Sequence, residues 1–338
     1  MRRYGQLWGK ITSPENIAHA HYMAKRNKSH YSSVQRVERS RQHHLDLVRQ
    51  SLLDKTFTTG TYKVEQRIEG GKLRTIYKLP YFPDRIVQHA AMSVCGPIFR
   101  RSMIRDTFQS MPERGTSDAR KRMRLLVNQY PYALKMDIRK YYPSVQNDQM
   151  KLAVRKKIKC KDTLWLLDDI IDSHEGLPIG NLTSQYFGNV YLTEFDWWVK
   201  QQLGVRGYFR YCDDLILLGE KDQLIEWRKQ VTARLANIGL EIKPSWQIKC
   251  LKTQGVDFVG FVFSHDQTKL RRSIADNFKK KARAALSGNP LDALRSLVAY
   301  KGWMMRASCK KLWRKYVTNR VQSHCDGIFN NNPIRGKV

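Results

Sequence analysis

The hydrophobic pattern of the chain begins with helical segments and continues with a hairpin. Residues 1–56 are basic and show helical periodicity, and Ser13 followed by Pro14 is typical of a helix N-terminus. Residues 57–80 predict two strands joined by the turn Glu69-Gly-Gly-Lys. We therefore expect a helical N-terminal extension followed by a β-hairpin.

The remaining apolar segments predict strands and helices in a mixed order. Helices are predicted over 84–94, 146–172, 182–203 (as one long helix), 221–238 and much of the chain after 270. Strands are predicted over 133–138, 207–218 (a second hairpin) and 255–263 (one terminal strand). Because these elements do not alternate in regular βαβ units, the pattern indicates an α+β fold.

Charge narrows the class of partner. The chain has 338 residues, with 61 Lys and Arg against 30 Asp and Glu, a net charge of +31. The 41% apolar fraction is sufficient for a core and excludes wholesale disorder. A modest excess of positive charge could belong to an inert basic surface. At +31, however, repulsion within the free protein favours a nucleic-acid partner, because each Lys or Arg near a phosphate releases condensed counterions on binding.

Other compositional features argue against membrane and secreted proteins. No apolar stretch approaches the roughly 18 residues of a membrane span, and the basic start lacks the apolar core of a secretory signal. The six cysteines are scattered without a Cys-x-x-Cys pair, which favours reduced thiols over a zinc site or a disulfide framework. We therefore expect a cytoplasmic protein with no membrane partner.

Two separated carboxylate sites carry the most chemical information. Asp137 lies at the end of one apolar strand, and Asp213-Asp214 interrupts another. An isolated Asp-Asp pair is usually a solvated turn, but apolar residues on both sides argue against that here, since lone charges are costly to bury. The oxygens of these residues suit Mg²⁺. Two such ions, ~4 Å apart, could support phosphoryl transfer.

A pair of basic residues on the first hairpin forms a second candidate site. Lys72 and Arg74 are two positions apart on a strand, so both side chains face the same way and could bind one triphosphate. An exposed basic hairpin without a ligand is the alternative.

These motifs together resemble the reverse transcriptase family. Tyr211-Cys-Asp-Asp214 resembles its Tyr-x-Asp-Asp box, and Asp137 falls where its first catalytic aspartate lies. Four further blocks follow in the family's order over about residues 57–263. They are Lys72-Leu-Arg74-Thr-Ile, Asp84-Arg-Ile-Val-Gln-His-Ala, Gly239-Leu-Glu-Ile-Lys and Phe258-Val-Gly-Phe. The resemblance implies a right-hand polymerase: a basic extension (1–56), fingers and palm (57–265) with an antiparallel sheet, and a helical thumb (266–338).

The resemblance also assigns roles to individual residues of an RNA-directed DNA polymerase. Asp137, Asp213 and Asp214 are its expected catalytic residues. Two Mg²⁺ ions, with Mn²⁺ as a possible substitute, are expected on Asp137, Ile138, Asp213 and Asp214. The expected nucleotide-binding (dNTP) residues are Lys72, Arg74, Tyr142, Ile179, Gly180 and Gln185. Tyr142 matches the ring that excludes a 2′-hydroxyl, where most relatives have Phe; a core aromatic is the alternative. Lys243 is a candidate proton donor to pyrophosphate, or simply a solvated lysine.

One segment discriminates within the family. Ile179-Gly-x-x-x-Ser184-Gln185 resembles the reverse transcriptases of diversity-generating retroelements, whereas group II intron enzymes have Gln-Gly-x-x-x-Ser-Pro there. The resemblance implies a bacterial or phage-encoded enzyme that copies a template-repeat RNA into cDNA with errors at adenines. Its partners would be that RNA, the RNA–cDNA duplex, dNTPs and a small basic accessory variability protein. A retron-type, phage-defence or group II intron-derived enzyme, or a non-catalytic scaffold that binds nucleic acid, is the alternative.

Aromatic and basic residues are interleaved after residue 270. We expect the cations to contact the phosphates of a duplex, and Trp303 and Trp313 to be core residues. The expected nucleic-acid-binding cations are Lys279, Lys280, Lys281, Arg283, Arg306, Lys310 and Lys311.

Overall fold

The computed structural model describes residues 3–69, 71–109, 111–287 and 290–317. Contacts within the chain divide it into two units. The first consists of the described residues of Met1–Arg105, Ile138–Gln202 and Thr232–Glu241, and the second of those of Asp106–Asp137, Leu203–Val231 and Ile242–Val338. The predicted boundaries between extension, fingers and palm, and thumb stay a prediction, and residues 318–338 of the predicted thumb lie outside the described residues.

The first unit is mainly helical and contains one hairpin. Its helices are α1 (Trp8–Ile11), α2 (Pro14–Lys25), α3 (Ser32–Arg39), α4 (Arg41–Leu53), α5 (Ile86–Ser102), α7 (Tyr141–Ser144), α8 (Asn147–Arg155), α9 (Lys161–Asp172), α10 (Leu182–Tyr191) and α11 (Thr193–Gln201). Its strands are β1 (Lys63–Glu69) and β2 (Lys72–Lys78), and a π-helical turn, Tyr81–Arg85, precedes α5.

Local sequence explains how the N-terminal helices are placed. Ser13 caps α2 as predicted, because its hydroxyl oxygen accepts a hydrogen bond from the Asn16 backbone N–H at 3.2 Å. The side-chain amide of Asn16 donates to the Ala90 carbonyl on α5 at 3.1 Å. The buried face of α2 contains Ile17, Ala20, His21 and Ala24. The basic N-terminal segment is thus a packed part of the first unit.

The second unit contains the larger sheet and the helices of the C-terminal region. Its strands are β3 (Thr107–Phe108), β4 (Tyr132–Asp137), β5 (Gly207–Tyr211), β6 (Asp214–Gly219), β7 (Gln247–Cys250), β8 (Val256–Phe258), β9 (Phe261–Ser264) and β10 (Gln267–Leu270). Its helices are α6 (Thr116–Leu126), α13 (Arg272–Ser287), α14 (Pro290–Met304) and α15 (Lys310–Tyr316). Helix α12 (Lys221–Ala236) begins in this unit, and its last five residues belong to the first.

The strand order confirms the predicted α+β fold. The five-stranded sheet has the order β3-β5-β6-β4-β7, and β8, β9 and β10 form a three-stranded antiparallel sheet. All pairs in the larger sheet are antiparallel except the two-residue edge strand β3, which lies parallel to β5. The four residues Leu215–Leu218 of β6 are all fully buried, which explains their uninterrupted apolar run.

Three predicted elements differ from the structure. The predicted helix over 182–203 is two helices separated at Leu192. Next to this break, the Thr193 hydroxyl donates a hydrogen bond to the Asn189 carbonyl at 3.0 Å. The predicted strand over 255–263 is the hairpin β8–β9, because Val259 and Gly260 both have positive φ and reverse the chain. The predicted helix over 146–172 is also interrupted, between α8 and α9.

The C-terminal helices share a hydrophobic core with the sheet of the second unit. Phe278 stacks on Trp313 with ring centroids 5.8 Å apart, and Trp303 lies 5.1 Å from Phe261 of β9. Both tryptophans are partly buried against this core, as the sequence predicted. Among the described residues, no helix combines the length and apolar character needed to cross a bilayer.

The turn between β8 and β9 gives a test of this packing. Gly260 has φ +85°, and a Cβ atom there would lie 2.6 Å from Trp303 Cζ3. We expect Gly260→Ala to lower the free energy of unfolding by about 1–3 kcal/mol, from backbone strain and displacement of the indole. Thermal melting measures the change.

Gly302→Ala is the matched control. Gly302 lies in α14, and a Cβ atom there would meet nothing within 4 Å. We expect this substitution to leave stability unchanged or raise it by about 0.5–1 kcal/mol. Equal melting temperatures for the two variants would contradict the packing of Trp303 on this turn.

Candidate active site

Three aspartates meet where strands of the second unit end. Asp137, the last residue of β4, is the direct cross-strand partner of Asp214, the first residue of β6. Asp214 is also the partner of Tyr211, the last residue of β5. Directly opposite residues lie on the same face of a sheet, so the side chains of Asp137 and Asp214 lie side by side on one face. The structure thus brings together the residues that sequence spacing had only placed on separate strands.

A strained two-residue turn carries the third carboxylate. Cys212 and Asp213 connect β5 to β6, and Cys212 has φ +57°, the left-handed region that an L residue with a side chain rarely adopts. The first position of such a turn usually contains glycine when its φ is positive. A constrained backbone therefore fixes where Asp213 leaves the sheet.

Burial and mutual repulsion act against ionisation of this pair. Burial raises the pKa of Asp213 above its usual value, and the Asp137 charge raises it further. Burial also raises the pKa of Asp214 to about 6, with an opposing effect from Lys135 and additional repulsion from Asp213 and Asp137. Placing several negative charges close together costs free energy, and a bound cation would offset this cost.

Lysines supply positive charge at this cluster. Lys243 Nζ forms an ion pair with Asp137 Oδ1, and the backbone N–H of Lys243 donates to the Asp137 carbonyl at 2.8 Å. Lys135 Nζ lies 3.8 Å from Asp214 Oδ1 and donates to the Asp257 carbonyl at 2.9 Å. Lys243 is therefore part of the carboxylate cluster and not simply a solvated lysine, the alternative that the sequence left open.

The donor chemistry of the cluster fits a divalent cation. Carboxylate oxygens are the hard ligands that Mg²⁺ prefers, and a cation here would relieve the repulsion among Asp137, Asp213 and Asp214. Within the described part of the chain, however, no three His, Cys, Asp or Glu side chains are grouped tightly enough to hold a metal ion by themselves. Assignment of the ions to Asp137, Ile138, Asp213 and Asp214 stays a prediction. Ile138 directly follows β4 and is fully buried.

Sequence reasoning missed two basic residues near the site. Lys135 is two residues before Asp137 on β4, so strand alternation places both on one face, and this spacing could have identified it. Arg271 donates to Asp257 Oδ1 at 2.6 Å and lowers the pKa of Asp214. Arg271 lies beyond every motif, and no sequence signal indicated it.

The predicted triphosphate residues lie on the hairpin of the first unit. Arg74 on β2 is exposed and is the cross-strand partner of Arg67 on β1. Lys72 is the first residue of β2, and its backbone pairs with Glu69. The side chain of Lys72 lies outside the described part of the structure. Arg67 and Arg74 therefore concentrate positive charge on one face of this hairpin.

Backbone contacts in the first unit connect the other predicted nucleotide residues. The Ile179 carbonyl accepts a hydrogen bond from the Tyr77 N–H of β2 at 2.8 Å, and the Leu177 N–H donates to the Tyr142 carbonyl at 2.8 Å. Gly180 has φ +119°, and a Cβ atom there would lie 2.8 Å from the Tyr77 carbonyl oxygen. The close approach that Gly180 permits in this structure is thus to the hairpin backbone. Its contact with a nucleotide stays a prediction.

Side-chain exposure is consistent with nucleotide contact at three of these positions. Tyr142 and Ile179 are half-buried, and Gln185 on α10 is exposed. Ser184, its neighbour, is buried and donates its hydroxyl to the Pro178 carbonyl at 2.7 Å, which closes the loop before α10. Tyr142 is not a fully buried core aromatic, the alternative for this residue, because its side chain is only partly covered.

A basic groove of about 790 Å³ lies in the first unit, between the N-terminal helices and the hairpin. Its lining includes six cations and one acid: Lys28, Arg36, Lys63, Arg67, Lys78 and Arg85, with Glu65. Tyr31, Tyr81 and Phe82 add aromatic surface. Burial lowers the pKa of Lys28, and the Arg85 charge lowers it further. A groove with this charge and these rings is typical of a surface for single-stranded nucleic acid.

The predicted cations of the C-terminal region are largely exposed. Lys280, Lys281 and Arg283 lie on α13 and are exposed, as are Arg306, Lys310 and Lys311. Lys279 is partly covered and donates to Asp276 at 2.8 Å, so part of its charge is already neutralised. Their contact with a duplex stays a prediction.

The family follows from comparison with known proteins. A family model described as reverse transcriptase (RNA-dependent DNA polymerase) matches residues 66–263, more than half of the chain. The matched range contains β4, the β5–β6 turn and the three aspartates. The chain therefore belongs to the reverse transcriptase family.

Individual relatives are distant. The chain is 25% identical to Protein YkfC of Escherichia coli (strain K12) over 223 residues, which cover 59% of this chain and 58% of YkfC, so it spans less than two thirds of that relative. Among solved structures it is similar to apo telomerase from Candida Tropicalis, with a TM-score of 0.49 and 13% identity. That match covers 71% of this chain and 56% of the telomerase chain.

The raised pKa of Asp214 gives a test with a defined sign. Its folded value of about 6 lies above the unfolded value of 3.8, so this group stabilises the fold below about pH 4 and loses that contribution as pH rises through 6. In EDTA at pH 8, Asp214→Asn should therefore raise the free energy of unfolding by about 1–3 kcal/mol. The gain should disappear as the pH falls towards 4.

Denaturant titrations of both proteins at several pH values measure this difference. Asp222→Asn, at an exposed position in the first turn of α12, is the control and should show no comparable gain at pH 8. A less stable Asp214→Asn variant at pH 8 would mean that its ion pair with Lys135 outweighs burial and repulsion.

Proposed function

We propose that the protein is a Mg²⁺-dependent RNA-directed DNA polymerase. The observation that carries the proposal is the convergence of Asp137, Asp213 and Asp214 at the ends of β4, β5 and β6 in a chain of the reverse transcriptase family. A scaffold that only binds nucleic acid gains nothing from three neighbouring carboxylates, because negative charge repels phosphate. The raised pKa values of Asp213 and Asp214 are a cost that metal-assisted chemistry explains.

The three carboxylates would hold the divalent ions, with the Ile138 backbone beside them. When bound, the metal neutralises charge on the attacking 3′-oxygen and on the leaving pyrophosphate. Lys243 contacts Asp137 and can hold a proton at Nζ close to the reaction. Lys135 and Arg271 keep positive charge near Asp214 and limit the repulsion before substrate arrives.

The first unit would bind the incoming nucleotide. Arg74 and Lys72 on β2 are suited to the triphosphate, because cations on one strand form charge-assisted hydrogen bonds to phosphate oxygens. The partly covered ring of Tyr142 would contact the sugar. The Leu177 N–H donates to the Tyr142 carbonyl, and the Ile179 carbonyl accepts from the Tyr77 N–H of β2. These backbone hydrogen bonds connect the elements in one framework, which favours a preorganised nucleotide site.

Two basic surfaces would bind the template and the product. The groove beside Lys28 and Arg85 combines cations with aromatic rings, which suits single-stranded RNA. The exposed cations of α13 and of residues 306–311 suit the phosphates of an RNA–cDNA duplex. The net charge of +31 supports strong, salt-dependent binding.

The motif Ile179-Gly-x-x-x-Ser184-Gln185 supports assignment to a diversity-generating retroelement. In that role the enzyme would copy a template-repeat RNA with errors at adenines, together with a small basic accessory variability protein. Most relatives have Gln at the position that Ile179 occupies, and the Ile179 side chain has neither a hydrogen-bond donor nor an acceptor. Its half-buried side chain and hydrogen-bonded carbonyl place it in an ordered loop.

The first test removes one carboxylate. Asp213→Asn keeps the shape of the side chain but removes its charge, so we expect primer extension on an RNA template to fall by at least about a thousandfold. RNA affinity should stay within about twofold, because it depends on the basic surfaces. Asp222→Asn is the control and should extend primers normally. Extension by Asp213→Asn near the wild-type rate would refute the assignment of the metal site.

The second test concerns the duplex. Replacing Lys279, Lys280 and Lys281 together with Gln should reduce the slope of log affinity against log salt by about 2–3, since each phosphate contact contributes about 0.9. Lys229→Gln is the control, because Lys229 is exposed on α12 and faces Glu226. An unchanged slope in the triple variant would place the duplex away from α13.

The third test concerns fidelity. Ile179→Gln restores an amide, and one net hydrogen bond of about 0.5–1.5 kcal/mol corresponds to roughly two- to tenfold in discrimination. We expect errors at template adenines to fall by that factor when cDNA from one adenine-containing RNA is sequenced. Ile179→Leu, which stays apolar, should leave the error rate unchanged. Equal error rates for Gln and wild type would make Ile179 a packing residue only.

A further inference from the structure

A buried arginine lies directly before the catalytic turn. Arg210, the fourth residue of β5, is 0% exposed and is the largest fully buried side chain of the described residues. A buried guanidinium is costly unless its donors are hydrogen-bonded. One of its donors, Nη1, binds the carbonyl oxygen of Cys212 at 3.2 Å. The arginine thus contacts the backbone of the turn two residues ahead of it.

The carbonyl that Arg210 binds belongs to the strained residue of the turn. Cys212 has φ +57°, where glycine would be expected. The same carbonyl is part of the peptide plane that joins Cys212 to Asp213. Fixing this plane fixes the direction in which the Asp213 side chain leaves the backbone, and it stabilises a conformation that cysteine otherwise disfavours.

Arg210 is itself fixed at its backbone. Its N–H donates to the Asp106 carbonyl at 3.0 Å, and it pairs with Thr107 in the parallel β3–β5 ladder. The buried Asp106 side chain accepts from Arg122 Nε at 2.8 Å. The edge strand β3, which the sequence did not predict, and Asp106 directly before it thus connect the end of β5 to helix α6.

We propose that Arg210 is a positioning residue that holds the Cys212–Asp213 peptide in its left-handed turn and thereby aims the Asp213 carboxylate. This inference rests on the proposed polymerase function, because it assigns Arg210 a role in placing a carboxylate of that reaction. Arg210 acts through the turn and does not contact substrate.

A double-mutant cycle with residue 212 tests the proposal. Arg210→Met keeps an apolar chain of similar length and removes the donors. We expect kcat for single-nucleotide primer extension to fall about tenfold to a hundredfold, the loss of a charged hydrogen bond, while the dNTP KM stays within about twofold. Arg210→Lys, which retains a donor, should recover part of kcat.

Glycine at the turn should reduce the need for the arginine. Glycine adopts positive φ without a side-chain penalty, so in the Cys212→Gly background Arg210→Met should lower kcat by less than about a third of its effect with cysteine present. A merely structural role for Arg210 predicts the same loss in both backgrounds. That result would overturn the proposal, as would a loss of stability with unchanged kcat.

Arg124→Met is the control for loss of an arginine's hydrogen bonds to backbone carbonyls. Arg124 also donates to backbone carbonyls of the second unit, those of Ser264 at 2.8 Å and Gln267 at 3.0 Å, away from the turn. Its replacement should lower the melting temperature without lowering kcat. If Arg210→Met does not fold, the same cycle is carried out with Arg210→Lys, and the same comparison of backgrounds decides.

A readout independent of activity separates this inference from the proposed function. Hydrogen exchange of the amides of residues 212–215 should be at least about tenfold faster in Arg210→Met than in wild type and unchanged in Arg124→Met. Wild-type protein without any primer extension would refute the proposed function, and the exchange result would still decide whether Arg210 holds the turn. Unchanged exchange in Arg210→Met would refute the positioning role.

Discussion

Repulsion among three carboxylates, at the ends of the inner strands β4, β5 and β6, is the constraint around which the second unit is arranged. Asp137 and Asp214 are direct cross-strand partners, and Asp213 leaves the turn beside them. The fully buried residues of β6 hold these strand ends in place, and Lys243 and Lys135 partly compensate the negative charge. A fold that maximised stability alone would not concentrate these charges, so the arrangement is understood best as a cost accepted for chemistry.

The positions of the site residues follow from ordinary strand geometry. Alternation places Lys135 and Asp137 on one face of β4, and the ladder with β6 brings Asp214 opposite. The antiparallel β5–β6 hairpin then requires only a two-residue connection, which is where Asp213 lies. In the first unit, backbone hydrogen bonds connect the hairpin to Tyr142 through residues 177–179. The Tyr77 N–H donates to the Ile179 carbonyl, and the Leu177 N–H donates to the Tyr142 carbonyl.

Strong periodicity and short motifs made much of this predictable. The sequence indicated β4, the β5–β6 hairpin and the three aspartates, because an acidic pair inside an apolar run has few explanations. It also indicated the capped helix at Ser13. Two interruptions inside apolar runs were not predictable from periodicity: the helix break at Leu192, next to which Thr193 donates to the Asn189 carbonyl, and the β8–β9 turn, which has the non-glycine Val259 at positive φ. Arg210 and Arg271 were missed because their partners lie on other strands or across a turn.

The most direct test of the central claim is the effect of Mg²⁺ on stability. If the carboxylate cluster holds the ion, melting temperature should rise with Mg²⁺ concentration, by about 2–4 °C at ten times the dissociation constant. The basic remainder of the protein makes competing cation sites weak. The same titration on Asp213→Asn should be nearly flat. Equal Mg²⁺ dependence in the two proteins would contradict the account, because the ion would then be bound elsewhere than at these three aspartates.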